Sequence, residues 1–122
     1  MPDECIVVFT CEGPSRILQQ GGSRAWVLGK AADHARRCNY LICTQNQDPK
    51  LSDLGASEPH GAVFLVGKIS GVIPDSIQGD RWQICISEYA LHTVMDVWQG
   101  HQNPVWYPTL EEIGIDPVMK PA

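Results

Sequence analysis

The stretch His60-Gly-Ala-Val-Phe-Leu-Val-Gly-Lys-Ile-Ser-Gly-Val-Ile73 sets the strongest limit on what this chain can fold into. Its Val, Ile and Phe content favours a strand. Gly61, Gly67 and Gly71 break it at intervals that suit bulges or the tight bends of a small barrel. Residues 74–80 then read as a turn. Residues 81–89 alternate, with Trp82, Ile84 and Ile86 on one face and Arg81, Gln83, Cys85 and Ser87 on the other. A long strand with Gly-marked bends followed by a cleanly alternating one suits a small barrel.

The rest of the chain is organised around that pair. Residues 5–10, a β-branched run, suit a buried strand, and Gly13-Pro14-Ser15 offers a helix start that Gly21-Gly22 can end. Residues 23–28 read as a second strand. Residues 30–38 follow as a short amphipathic helix, with Ala31, Ala35 and Cys38 on its apolar face. Residues 40–44 form a central strand, apolar on both faces. Residues 45–59, rich in Asn, Gln, Asp, Ser and Pro, form a long loop that suits either binding or mobility. Toward the end, residues 94–99 suit a helical turn, residues 105–107 a short extended piece, and Thr109 with Glu112 a capping box. The fold class this order predicts is α+β, a small mixed β-barrel with short flanking helices.

At 122 residues the chain is expected to form one domain with one core. Its 9 Lys and Arg against 14 Asp and Glu give a net charge of −5, which disfavours sequence-blind binding to a long phosphate backbone. A focused basic site remains open, because Arg16, Arg24, Lys30, Arg36 and Arg37 all lie in the first third. The odd set Cys5, Cys11, Cys38, Cys43 and Cys85 has no CxxC spacing, so reduced thiols and a cytoplasmic setting are expected. No apolar run is long enough for a membrane helix, so no membrane partner is expected.

Three stretches carry a resemblance to a known superfamily. They are Ala25-Trp-Val-Leu with the following helix and the strand Tyr40-Leu-Ile-Cys-Thr-Gln-Asn46, the Gly-marked run from His60 to Ile69, and Arg81-Trp-Gln-Ile-Cys-Ile-Ser with the later Asn103-Pro-Val105. In order and spacing these resemble the PUA-like superfamily, in its EVE, YTH and ASCH branch. The resemblance covers roughly two-thirds of the chain. Residues 1–22 form a strand-helix unit in addition to it, and the chain lacks the basic C-terminal segment that YTH readers use on RNA. The resemblance implies a PUA-like barrel and a binding module that takes a single nucleobase or nucleotide, often a modified one, between aromatic side chains. Its partner would be modified RNA or DNA, or a free nucleoside.

On that reading Trp26, Trp82, Trp98 and Trp106 are the stacking walls, since base–aromatic stacking contributes about 1–3 kcal/mol per base. Asn46, His60 and Asn103 are the base-edge readers, because a carboxamide both donates and accepts. Arg24, Lys30, Arg36 and Arg37 are the phosphate-facing group. Each has a plainer explanation. Trp26 and Trp82 suit core packing, Trp98 and Trp106 can cover a barrel end, Asn46 and Asn103 suit turns, and His60 suits the surface.

Other functions stay open. Some ASCH relatives are small amidohydrolases of modified nucleosides, and Lys30, Lys68 and Glu88 offer the residue types for such chemistry, although Lys68 and Glu88 equally suit a surface ion pair. A protein-interaction module without a nucleic-acid ligand is the third reading, since a barrel is a scaffold and not a function. His34, His60, His92 and His101 show no HxxxH or HxH pattern and no Cys/His cluster at ligand spacing, so neither a metal nor another cofactor is expected.

Overall fold

A computed structural model describes residues 4–26, 28, 32–47, 50, 55–75, 77, 81–95, 97, 105–108 and 120–121. The elements are β1 (Cys5–Thr10), α1 (Pro14–Gln20), β2 (Gly22–Trp26), α2 (Ala32–Arg37), β3 (Tyr40–Gln45), β4 (Val63–Pro74), β5 (Trp82–Val94), β6 (Val105–Trp106) and β7 (Lys120–Pro121). They form one sheet in the order β2-β5-β4-β3-β1-β6, with β7 on β5. The sheet curls into a half-barrel carrying two short helices, so the architecture is α+β and barrel-like.

The middle of the sheet follows from its sequence. Cys5–Thr10 and Tyr40–Gln45 are apolar on both faces, and they pair in parallel, from Cys5 opposite Tyr40 to Thr10 opposite Gln45. Such pairs are normally buried on both sides. Ile6, Val8, Leu41 and Cys43 therefore meet Ile17 of α1, Ala35 of α2 and Cys38 on one face, while Cys5, Val7 and Ile42 pack with Val63 and Val66 on the other. Helix α1 begins with Pro14 in its first turn and ends on Gly21 at φ 77°, a left-handed cap that glycine adopts without a Cβ clash.

The long hairpin of β4 and β5 supplies the curl. Its register slips where Lys68 faces Glu88 and Ile69 faces Ile86, leaving Ser87 as an extra residue on β5, and again where Gly71 faces Cys85, leaving Ser70 extra on β4. One-residue bulges bend a strand and raise its twist. The bulge at Ser87 also reverses the inward phase, so Tyr89 reaches the same core as Ile84 and Ile86. The strand consequently runs on to Val94, past the end of the alternation, and Val94 belongs to it rather than to a helical turn. The capping box at Thr109 and Glu112 lies outside the described residues.

At the other end of β1 the chain passes very close to the loop before β4. Glu12 bridges Gly55, and a Cβ on Gly13 would fall inside the carbonyl of Gly55. Gly13→Ala should therefore destabilise the fold by about 1–3 kcal/mol. Gly71→Ala, where none of the described residues lies within 4 Å of the added methyl, should leave the melting midpoint nearly unchanged. Thermal denaturation of the two variants beside the parent checks the pair.

Candidate functional site

The carboxyl ends of β1 and β3 carry most of the buried polar chemistry of the described residues. Thr10, Glu12, Thr44 and Gln45 are all buried there. A buried carboxamide must satisfy its donors and acceptor or pay their desolvation cost. Gln45 does so across three segments. Its Nε2 donates to the carbonyls of Thr10 (2.8 Å) and Glu12 (3.2 Å), and its Oε1 accepts from the amides of Ser57 (3.2 Å) and Glu58 (3.4 Å). The side chain thus fastens the loop before β4 to the end of β1.

Glu12 extends the network toward β2. Its carboxylate accepts from Gln20 Nε2 (2.7 Å) and from the Arg24 amide (3.4 Å), and Arg16 Nε lies 3.3 Å away. Arg24 in turn places Nε and Nη2 on the two carboxylate oxygens of Asp75, at 3.1 and 2.8 Å, with Asp75 fully buried. This fork-to-fork pair raises the Arg24 pKa above its ordinary value, chiefly through the hydrogen bonds to Asp75.

Beyond these buried groups lies an accessible rim. Phe9 and His60 meet edge to face at 5.2 Å. The Gln47 amide donates to His60 Nδ1 (3.1 Å), which leaves the ring proton of neutral His60 on Nε2 as an outward donor. The Asn46 amide donates to the Thr10 carbonyl (2.7 Å). Its half-buried carboxamide bonds to none of the described residues. Nearby, the Val97 amide donates to the Gly61 carbonyl (3.1 Å), and Val105 pairs with Val8. The described chain on either side of positions 98–104 therefore reaches this same end of the sheet.

The anticipated site residues fall into two groups. Asn46 and His60 share the rim. Trp26 and Trp82 stand opposite each other on β2 and β5, where Pro74 of β4 also faces Trp82. Residues 63 and 74 mark the two ends of β4, separated by about 36 Å of extended strand path. The tryptophan pair is thus at the far end of β4 from the Asn46–His60 rim. Trp98, Asn103 and Lys30 lie outside the described residues, and of Trp106 only the backbone, paired with Val7, is described.

The structure assigns several of these residues to the fold. Trp26 is 9% exposed, belongs to the main core, and donates its indole N–H to Ser23 Oγ (2.8 Å), so it is a core residue rather than an open stacking wall. Trp82 packs against that core with the Arg36 guanidinium 5.2 Å over its ring. Arg36 also donates twice to the Val72 carbonyl and once to Asp33. Arg24 is therefore engaged within the chain, Arg36 is held by the Val72 carbonyl and Asp33 with its side chain 44% exposed, and Arg37 is exposed at the end of α2. Lys68 and Glu88 form an exposed cross-strand pair at 3.5 Å.

Phe9, Glu12, Gln45 and Asp75 were not singled out by their sequence context. One signal was present for Glu12, an acid placed directly before the Gly-Pro helix start. No family model, curated protein or solved structure matches this chain.

Because Trp26 is buried and its indole N–H is bonded inside, Trp26→Ala should cost about 3–5 kcal/mol of stability. Urea denaturation followed by circular dichroism checks this. An unchanged midpoint would place Trp26 outside the core.

Proposed function

We propose that this chain is a PUA-like binding module that takes a single nucleobase, free or extruded from a nucleic acid, at the rim formed by Phe9, Asn46, Gln47 and His60. The observation that carries the reading is the juxtaposition of two outward hydrogen-bonding groups with an aromatic ring. The Asn46 carboxamide lacks a partner among the described residues, and His60 is oriented by the Gln47 amide against Phe9. A base edge needs paired donors and acceptors in one plane and an aromatic or apolar surface beside it. Asn46 supplies a donor and an acceptor, the His60 Nε2–H a second donor, and Phe9 and His60 the surface.

Rigidity beneath the rim supports the same use. Gln45 ties together the ends of β1 and β3 and the loop at Ser57 and Glu58, so the groups above it are held before any ligand arrives. The net charge of −5 and the internal engagement of Arg24 and Arg36 favour one base over a long stretch of backbone. The curled sheet with short helices on its flank is compatible with a small α+β barrel, the coarser part of what the PUA-like resemblance implies.

Titration with normal and modified nucleosides, followed by the fluorescence of the four tryptophans and by calorimetry, tests the proposal. Saturable binding of one nucleoside is expected. Asn46→Ala and His60→Ala should each weaken it by about 1–3 kcal/mol with little change in melting temperature. Affinity should depend only weakly on salt. A flat response to nucleosides and short oligonucleotides alike would overturn it in favour of a protein-interaction role.

A further inference from the structure

At the opposite end of β1 from the rim, Glu4, His34 and Cys38 bring a carboxylate, an imidazole and a thiol together, with their ligand atoms all within 4.8 Å of one another. We propose that these three side chains form a binding site for a zinc-class divalent cation, with water in the fourth position. Neither this site nor its test rests on the nucleobase reading.

The donor set fits the ion. Zinc is bound by sulfur, imidazole nitrogen and carboxylate oxygen at about 2.0–2.3 Å in tetrahedral geometry. That geometry places ligand atoms about 3.3–3.8 Å apart. His34 Nε2 and Glu4 Oε2 are already 3.4 Å apart. The other two ligand-atom pairs, both of which include Cys38 Sγ, lie within 4.8 Å, so each needs a contraction of at most about 1.5 Å. A thiolate and a carboxylate together also cancel the charge of the ion, so the filled site would be electrically neutral.

The framework around the three ligands is held by backbone bonds between distant segments. The Asn39 amide donates to the Glu4 carbonyl (2.9 Å), which joins the start of β1 to the end of α2. The Cys5 amide donates to the Pro108 carbonyl (2.9 Å), which brings in the segment after β6. From that segment Tyr107 stacks on His34 at 4.1 Å and 12°, fixing the plane of the imidazole. The Tyr107 hydroxyl is buried and has no hydrogen-bond partner among the described residues. Such an orphan is costly, and a metal-bound water or thiolate would supply an acceptor.

Cys38 shows what the ion would change. The thiol donates to the His34 carbonyl (3.4 Å). Burial, reinforced by Glu4 and partly offset by Arg37, pushes its pKa up to about 11. Binding exchanges its S–H for a metal–sulfur bond and sends the proton to solvent, with no change in oxidation state. Against the expectation of no Cys/His cluster at ligand spacing, His34 and Cys38 stand four apart and so share one side of a helical turn. Glu4 comes from a segment that only the fold brings near.

Cobalt(II) is the direct probe. Titration of the metal-stripped, reduced protein should give one equivalent of tetrahedral cobalt absorption with a thiolate charge-transfer band, should release at least one proton per ion, and should be reversed by zinc. Zinc should raise the melting temperature of the parent. Cys38→Ser should abolish the charge-transfer band, and His34→Gln and Glu4→Gln should each weaken binding about tenfold or more. Circular dichroism of the metal-free variants separates loss of ligand from loss of fold. Absence of the band in the parent, or its survival in Cys38→Ser with loss in Cys85→Ser, would overturn the site. Should Cys38→Ser fail to fold, His34→Gln decides alone, and unchanged cobalt affinity in it would also overturn the site.

Discussion

The parallel pairing of β1 with β3 is the constraint from which the rest of the architecture follows. Adjacent parallel strands cannot be joined by a tight turn, so the chain between Thr10 and Tyr40 must cross over and return. It does so as α1, β2 and α2, and β2 settles against β5 at the far edge of the sheet instead of beside β1. An edge strand so close in sequence to the centre is reachable because β4 and β5 bend. The bulges at Ser70 and Ser87 and the crossover thus depend on each other, with the sheet curling far enough for Glu12, just after β1, to accept a hydrogen bond from the Arg24 amide on β2.

The same pairing explains where chemistry accumulates. Two strands ending side by side, both buried, leave their last polar groups to be satisfied by side chains and loops. Gln45 and Glu12 meet that demand internally, and Asn46, Gln47 and His60 sit just beyond it with capacity to spare. At the starting end of the same two strands, the backbone bonds of Glu4 and Cys5 gather α2 and the Tyr107–Pro108 segment. The molecule therefore has two polar ends separated by an apolar sheet.

Much of this was legible in the sequence where a period speaks. The β-branched runs at β1 and β3, the Pro and Gly that bound α1, the glycines of β4 and the alternation of β5 each state their element. Legibility ended where one residue breaks the period. The alternation of β5 fails at Ser87, and its last turn of strand, through Val94, was hidden for that reason. The partners of polar residues were harder still. Asp75 looked like a turn residue after Pro74, and only the fold shows it buried beneath Arg24. Trp26 at a strand end suits a core residue and a pocket wall equally, and its burial could be decided only once β2 was known to face β5. Asn46 and His60 were placed together by a loop whose course no local pattern predicts.

The topology also separates the molecule in the time it takes to assemble. Pro74 and Trp82 face each other with only seven residues between them in sequence, so the hairpin of β4 and β5 closes with little loss of chain entropy. Each partner in the parallel pair is instead 35 residues from the other, as with Cys5 and Tyr40, and must be brought together across the whole crossover. Non-local closure of this kind is the slow step in small domains. The hairpin can thus serve as a template on which β3 is laid, with β1 added last. Both polar ends are built on β1, so each comes into being only when folding is nearly complete, and a partly folded chain would carry a sheet without either of them.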